Sequence, residues 1–165
     1  MIQIVKDTRP WFFLQTTHST YGMRVMETGH LEHLYYGERI TVDTQDSAFC
    51  APLVIQRGFA PGNTCTYDRE HPQISMEDVC LEVGTLGRGD IREPFLEVKF
   101  TDGSVTSDFT FDSYEVITLK EREQCLQASG LPRSYSEVET DSAECLQIVL
   151  QDVTNHLELQ LFYTV

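Results

Sequence analysis

The sequence holds little that would attract a nucleic acid, a membrane or a metal ion. Lysine and arginine are scarce, 12 against 26 aspartates and glutamates, and the formal charge of −14 repels phosphate backbones and anionic lipids. No apolar run approaches the ~20 residues of a membrane span. The opening Met1-Ile2-Gln3-Ile4-Val5-Lys6-Asp7 lacks the basic region, apolar block and cleavage site of a secretory signal. The expectations are no nucleic acid, no membrane and a cytoplasmic location. The cysteines, Cys50, Cys65, Cys80, Cys125 and Cys145, are odd in number and include no C-x-x-C, which argues against a disulfide framework or a zinc knuckle and for reduced, mostly buried thiols. Strands alternating with helices, as a parallel sheet requires, are missing too. What is present is a hydrophobic content of 41% over 165 residues, enough to bury the core of one domain spanning residues 1–165.

Taken in order, the chain reads as strands and turns. Ile2 to Val5 and Trp11 to Leu14 are short runs of β-branched and aromatic residues separated by Asp7, Thr8, Arg9 and Pro10. Thr20 to Glu27, the Thr28-Gly29 turn and the return from His30 to Gly37 form a hairpin pattern. On a strand, His30, Glu32, Leu34 and Tyr36 take one face while Leu31, His33 and Tyr35 take the other. His30 and His33 therefore point apart, and no metal site is expected from them. Asp43 to Glu77 is irregular, with scattered prolines and glycines, and an unstructured stretch of this length is either functional or ordered by a neighbour. Within it, Gln56 to Asn63 and Tyr67 to His71 gather aromatic, cationic and amide groups that can stack on and hydrogen-bond to sugars, although any solvated loop can hold them.

Strand patterns return at Val79 to Val83, Phe95 to Phe100, Val105 to Phe111 and Tyr114 to Leu119, with Asp102-Gly103 as a two-residue turn signal. Glu121 to Ser129 is a weak helical turn. Cys145 to Leu150 and His156 to Val165 make a final hairpin in which Leu157, Leu159 and Leu161 alternate with Glu158 and Gln160. The fold expected is all-β, an antiparallel β-sandwich. The last strand runs to Val165 without a polar tail, as expected of a piece of a longer chain, and its edge would invite pairing with another copy.

The stretch Gly84 to Val98 stands out, because Gly84, Gly87 and Gly89 bend the chain and bring Arg88, Asp90, Arg92 and Glu93 to short range. Asp90, Arg92 and Glu93 are expected to lock this loop, the planar arginine fork serving better than lysine. Arg88-Gly89-Asp90 also spells a tripeptide read by some adhesion receptors, a match that three residues reach readily by chance.

Three segments, Gly29-His30-Leu31-Glu32-His33-Leu34-Tyr35-Tyr36-Gly37-Glu38-Arg39-Ile40, Cys80-Leu81-Glu82-Val83 and Gly87-Arg88-Gly89-Asp90-Ile91-Arg92-Glu93-Pro94, occur in an order and spacing that resembles the N-terminal domain of glycoside hydrolase family 36 α-galactosidases, from about Phe12 to Tyr163. The resemblance implies a β-supersandwich ahead of a (β/α)8 catalytic barrel. It also implies a retaining enzyme acting on melibiose, raffinose and related galactosides, a homo-oligomer (a tetramer in the family), and no cofactor. Retaining hydrolysis needs two carboxylates about 5–5.5 Å apart. In the family both belong to the barrel, so no catalytic residue is expected here. Loops of the domain wall the sugar pocket, which makes Gln56, Arg57 and Arg69 candidates for its rim. Arg57-Gly58-Phe59-Ala60-Pro61 keeps the family's R-x-F-x-P pattern, while Gln56 stands where several relatives carry an acid. A sandwich rich in aromatic residues could instead be a module that binds sugar independently.

Overall fold

The computed structural model describes residues 1–54, 65–129 and 143–165. Its strands form two antiparallel sheets. The first contains β1 (Ile2–Val5), β2 (Trp11–Gln15), β3 (Ser19–Val25) and β4 (Leu31–Glu38) in sequence order. The second contains β5 (Thr110–Thr118), β6 (Glu144–Asp152) and β7 (Leu157–Thr164), with α1 (Leu119–Ser129) between β5 and β6. The all-β sandwich is thus observed.

Strand β2 explains how the layers stack. Phe12, Phe13 and Leu14 are all buried although consecutive strand residues point to opposite faces, so the first sheet is covered on both sides. Phe12 and Leu14 join Met23, Val25 and Leu31 against Leu146, Ile148 and Leu150 of β6, which is the core between the sheets. Phe13 and Val5 pack on the other face against Val42 and Cys50, carried by the segment after β4 with its short 3-10 helix (Ser47–Leu53). Gln15, buried at the end of β2, is satisfied by Thr20 and by the Ile40 carbonyl at 2.7 Å. At the edge, the Ile2 N–H donates to a Glu144 carboxylate oxygen at 2.9 Å, tying β1 to β6.

Several local expectations are corrected. Val79–Val83 and Phe95–Phe100 are not regular strands: Leu81 makes an isolated bridge with Glu32, and Leu96 one with Thr85. The Arg92 side chain takes the Val79 carbonyl that a ladder would use, and Pro94 has no N–H to donate. The two strands expected over 105–119 are one, β5, with a bulge at Asp112 between Phe111 and Ser113. A second bulge leaves Leu34 of β4 unpaired between His33 and Tyr35. The strict alternation expected there reverses, and His33 and Tyr36 both lie against Tyr21. The helix is longer than expected because Thr118 and Glu121 form a capping box: the Thr118 N–H donates to Glu121 at 2.8 Å and the Glu121 N–H to the Thr118 hydroxyl at 3.3 Å. All five thiols are free, but only Cys50 and Cys145 are buried, while Cys65 and Cys80 are exposed.

Two turns test the backbone directly. Gly87 (φ 98°) and Gly103 (φ 89°) are both left-handed, yet a Cβ on Gly87 would fall 2.4 Å from Thr106 whereas one on Gly103 would meet nothing within 4 Å. Gly103→Ala is expected to cost only the backbone penalty of about 1–2 kcal/mol. Gly87→Ala adds overpacking, for about 2–5 kcal/mol in all. Urea denaturation of both variants checks the difference; equal losses would contradict it.

Candidate functional site

Three separate segments converge on the Asp108 carboxylate, and a fourth holds its backbone N–H. Oδ1 lies 2.9 Å from His30 Nε2, whose Nδ1 is 2.9 Å from the Thr28 hydroxyl. Oδ2 accepts from the Tyr67 hydroxyl at 2.9 Å and pairs with the Arg88 guanidinium. The Asp108 N–H donates to Asp152 Oδ2 at 3.0 Å, at the end of β6. The rings reinforce the bonds: Arg88 lies over Tyr67 at 5.4 Å, and Tyr67 meets His30 edge to face at 4.9 Å. Burial alone would push the Asp108 carboxyl up, but the bonds from His30 and Tyr67 and the charge of Arg88 hold it below the usual carboxylate range. Burial, with Asp108 beside it, pushes the Tyr67 phenol up to about 12. Asp108 thereby fastens the irregular loop through Tyr67, the glycine-rich loop through Arg88, and the first sheet through His30.

A second fastening is local. Arg92 grips Asp90 with two bonds of 2.8 Å and donates to the carbonyls of Met76 and Val79 at 3.0 and 2.8 Å. Burial would raise the Asp90 carboxyl, but Arg92 holds it low. In the Arg88-Gly89-Asp90 tripeptide both charges are therefore taken up inside the chain. Glu93 is exposed and outside this fork.

Of the expected rim residues, Arg69 alone lies among the described residues. Gln56 and Arg57 lie outside the described residues. Arg69 is exposed, in a turn where Asp68 accepts the N–H groups of Glu70 and His71 and the His71 ring. Sequence reasoning missed Asp108, His30 and Glu82 as organising groups, because alternation merely placed Asp108 on the polar face of a strand. Glu82 accepts from Tyr21 of β3 at 2.6 Å and from Tyr163 of β7 at 2.7 Å. Asp152 accepts from the Asn155 backbone and side chain, and Glu32 pairs with Arg24 at 2.7 Å. These carboxylates are bonded to the chain's own donors, an arrangement that holds loops and sheets in place.

The glycosyl hydrolase family 36 N-terminal domain matches residues 29–165. The chain belongs to this family. As a family 36 N-terminal domain it is similar to the bifunctional α-galactosidase/sucrose kinase AgaSK of Mediterraneibacter gnavus, 35% identical over 100% of this chain and 16% of AgaSK. It superposes on the α-galactosidase of Lactobacillus brevis with a TM-score of 0.75 and 27% identity, covering 98% of this chain and 20% of that one. A variant of AgaA from Geobacillus stearothermophilus, solved with raffinose, superposes with a TM-score of 0.72 and 26% identity over 94% of this chain and 20% of AgaA. The chain thus spans about a fifth or less of the length of these relatives.

Removing the Asp108 charge tests the fastening. Asp108→Asn should destabilise the domain by about 2–4 kcal/mol at neutral pH, since Arg88 loses its counter-ion and His30 a carboxylate partner. A carboxyl held low in the folded state contributes stability above its unfolded value of about 3.9 and loses it as pH falls below that point. The variant's stability curve should therefore drop less steeply than wild type below about pH 4, measured by denaturant unfolding across pH; parallel curves would contradict the assignment.

Proposed function

We propose that this domain is the non-catalytic front of a retaining α-galactosidase that removes terminal α-linked galactose from melibiose- and raffinose-type oligosaccharides. In that reading the reactive acids belong to a (β/α)8 barrel of the same polypeptide, and the domain supplies part of the pocket rim and of an oligomer interface in a cytoplasmic enzyme. The observation that carries it is the family match over residues 29–165, joined to the α-galactosidase names of the relatives. Two further facts support it. The buried carboxylates are bonded internally, and Asp108 fixes the base of the loop that holds Arg69. Gln56 and Arg57 complete the rim in this reading, Gln56 with an amide that hydrogen-bonds a sugar hydroxyl more weakly than a carboxylate would. A second reading, independent sugar binding, draws on the Tyr36 ring, which is 73% exposed.

The isolated chain should not hydrolyse a chromogenic α-galactoside. Grafted in place of the matched segment of AgaA, it should restore an active enzyme in which Arg69→Ala raises KM for raffinose about two- to tenfold, the worth of one hydrogen bond. Unchanged kinetics would remove Arg69 from the rim. Calorimetric titration of the isolated chain with raffinose should give no binding, and millimolar or tighter affinity would favour the independent module.

A further inference from the structure

Two large apolar side chains of the glycine-rich loop stand in water: Ile91 is 83% exposed and Phe95 73%. Single exposed apolar residues are ordinary, but these two sit in one short stretch whose backbone is held from behind. Between them, Arg92 turns its guanidinium to Asp90 and to the carbonyls of Met76 and Val79. The Phe95 N–H donates to the Gly84 carbonyl at 2.9 Å, and Pro94 stiffens the chain before it. A loop fixed in this way can present anchors without the ordering cost that weakens a flexible one. A large aromatic side chain on rigid backbone is the kind of group that dominates interface energetics.

The surrounding charge narrows the occupant. Each chain carries a formal charge of −14, and Glu93 and Glu97 are exposed on either side of Phe95, which opposes stacking this face on a second copy. The matched segment makes up only 16 to 20% of the curated relatives, so most of each relative lies outside it. The geometry points to Ile91 and Phe95 as the anchors by which this domain seats on a later domain of the same polypeptide, in an apolar recess whose rim is basic toward Glu93 and Glu97. The inference rests on the proposed reading of the chain as the front of a larger α-galactosidase.

Hydrogen exchange read by mass spectrometry tests it, comparing the isolated chain with the AgaA graft. Exchange over residues 88–98 should slow about tenfold or more in the graft, and the paired substitution Ile91→Ser and Phe95→Ser should abolish that slowing. Circular dichroism of the isolated variant chain checks that the sandwich itself survives. A graft that hydrolyses a chromogenic α-galactoside yet exchanges over 88–98 like the isolated chain overturns the inference alone. An inactive wild-type graft overturns the reading beneath it and the inference with it. A dimer of the isolated chain in sedimentation, lost in the paired variant, would assign the face to a second copy and contradict the proposal.

Discussion

One carboxylate joins the two layers on which everything else is built. Glu82 lies between the sheets and accepts from Tyr21 of the first sheet and Tyr163 of the second, whose rings are 6.4 Å apart. Hydrogen bonds to a charged acceptor contribute about 1.5–3 kcal/mol each, and their directionality fixes how the sheets face one another, which apolar contact alone does not. The apolar core supplies the driving force around this tie, through Phe12, Leu14 and Met23 against Leu146, Ile148 and Leu150.

The loops inherit their positions from that frame. Asp108 repeats the device at another place, drawing Tyr67, Arg88 and His30 onto one charge, and Arg92 repeats it within the glycine-rich loop. A sandwich whose acids hold its own loops suits a domain that frames chemistry performed elsewhere. In the glycine-rich loop Arg88, Asp90 and Arg92 are bonded to other parts of the chain, whereas Ile91 and Phe95 face water.

How much of this was legible in the residues depends on the range of the interaction. Strands β1 to β4 and the β6–β7 hairpin follow from apolar alternation and turn chemistry, which are local. The Asp90–Arg92 fork was legible for the same reason, since its partners are two residues apart. Regular strands at Val79–Val83 and Phe95–Phe100 read well as patterns, but a distant arginine takes their carbonyl and a proline removes a donor. The Asp108 cluster could not be read, because Tyr67 and His30 lie 41 and 78 positions from it in the chain. Only the fold brings them together. The helix start was available in Thr118 and Glu121, whose spacing is that of a capping box.

Glu82 holds two partly buried phenols and so clamps the sheets together. Burial and the Glu82 charge raise both the Tyr21 and Tyr163 phenols above the ordinary value of about 10. A phenol raised in the folded state contributes stability below its unfolded value and loses it as pH rises past that point. Ultraviolet titration of the seven tyrosines, followed together with circular dichroism, is the direct measurement. A group of tyrosines should stay unionised beyond about pH 10 and ionise only as the sheets unfold. Complete, reversible ionisation near pH 10 with the sheet signal intact would contradict the account.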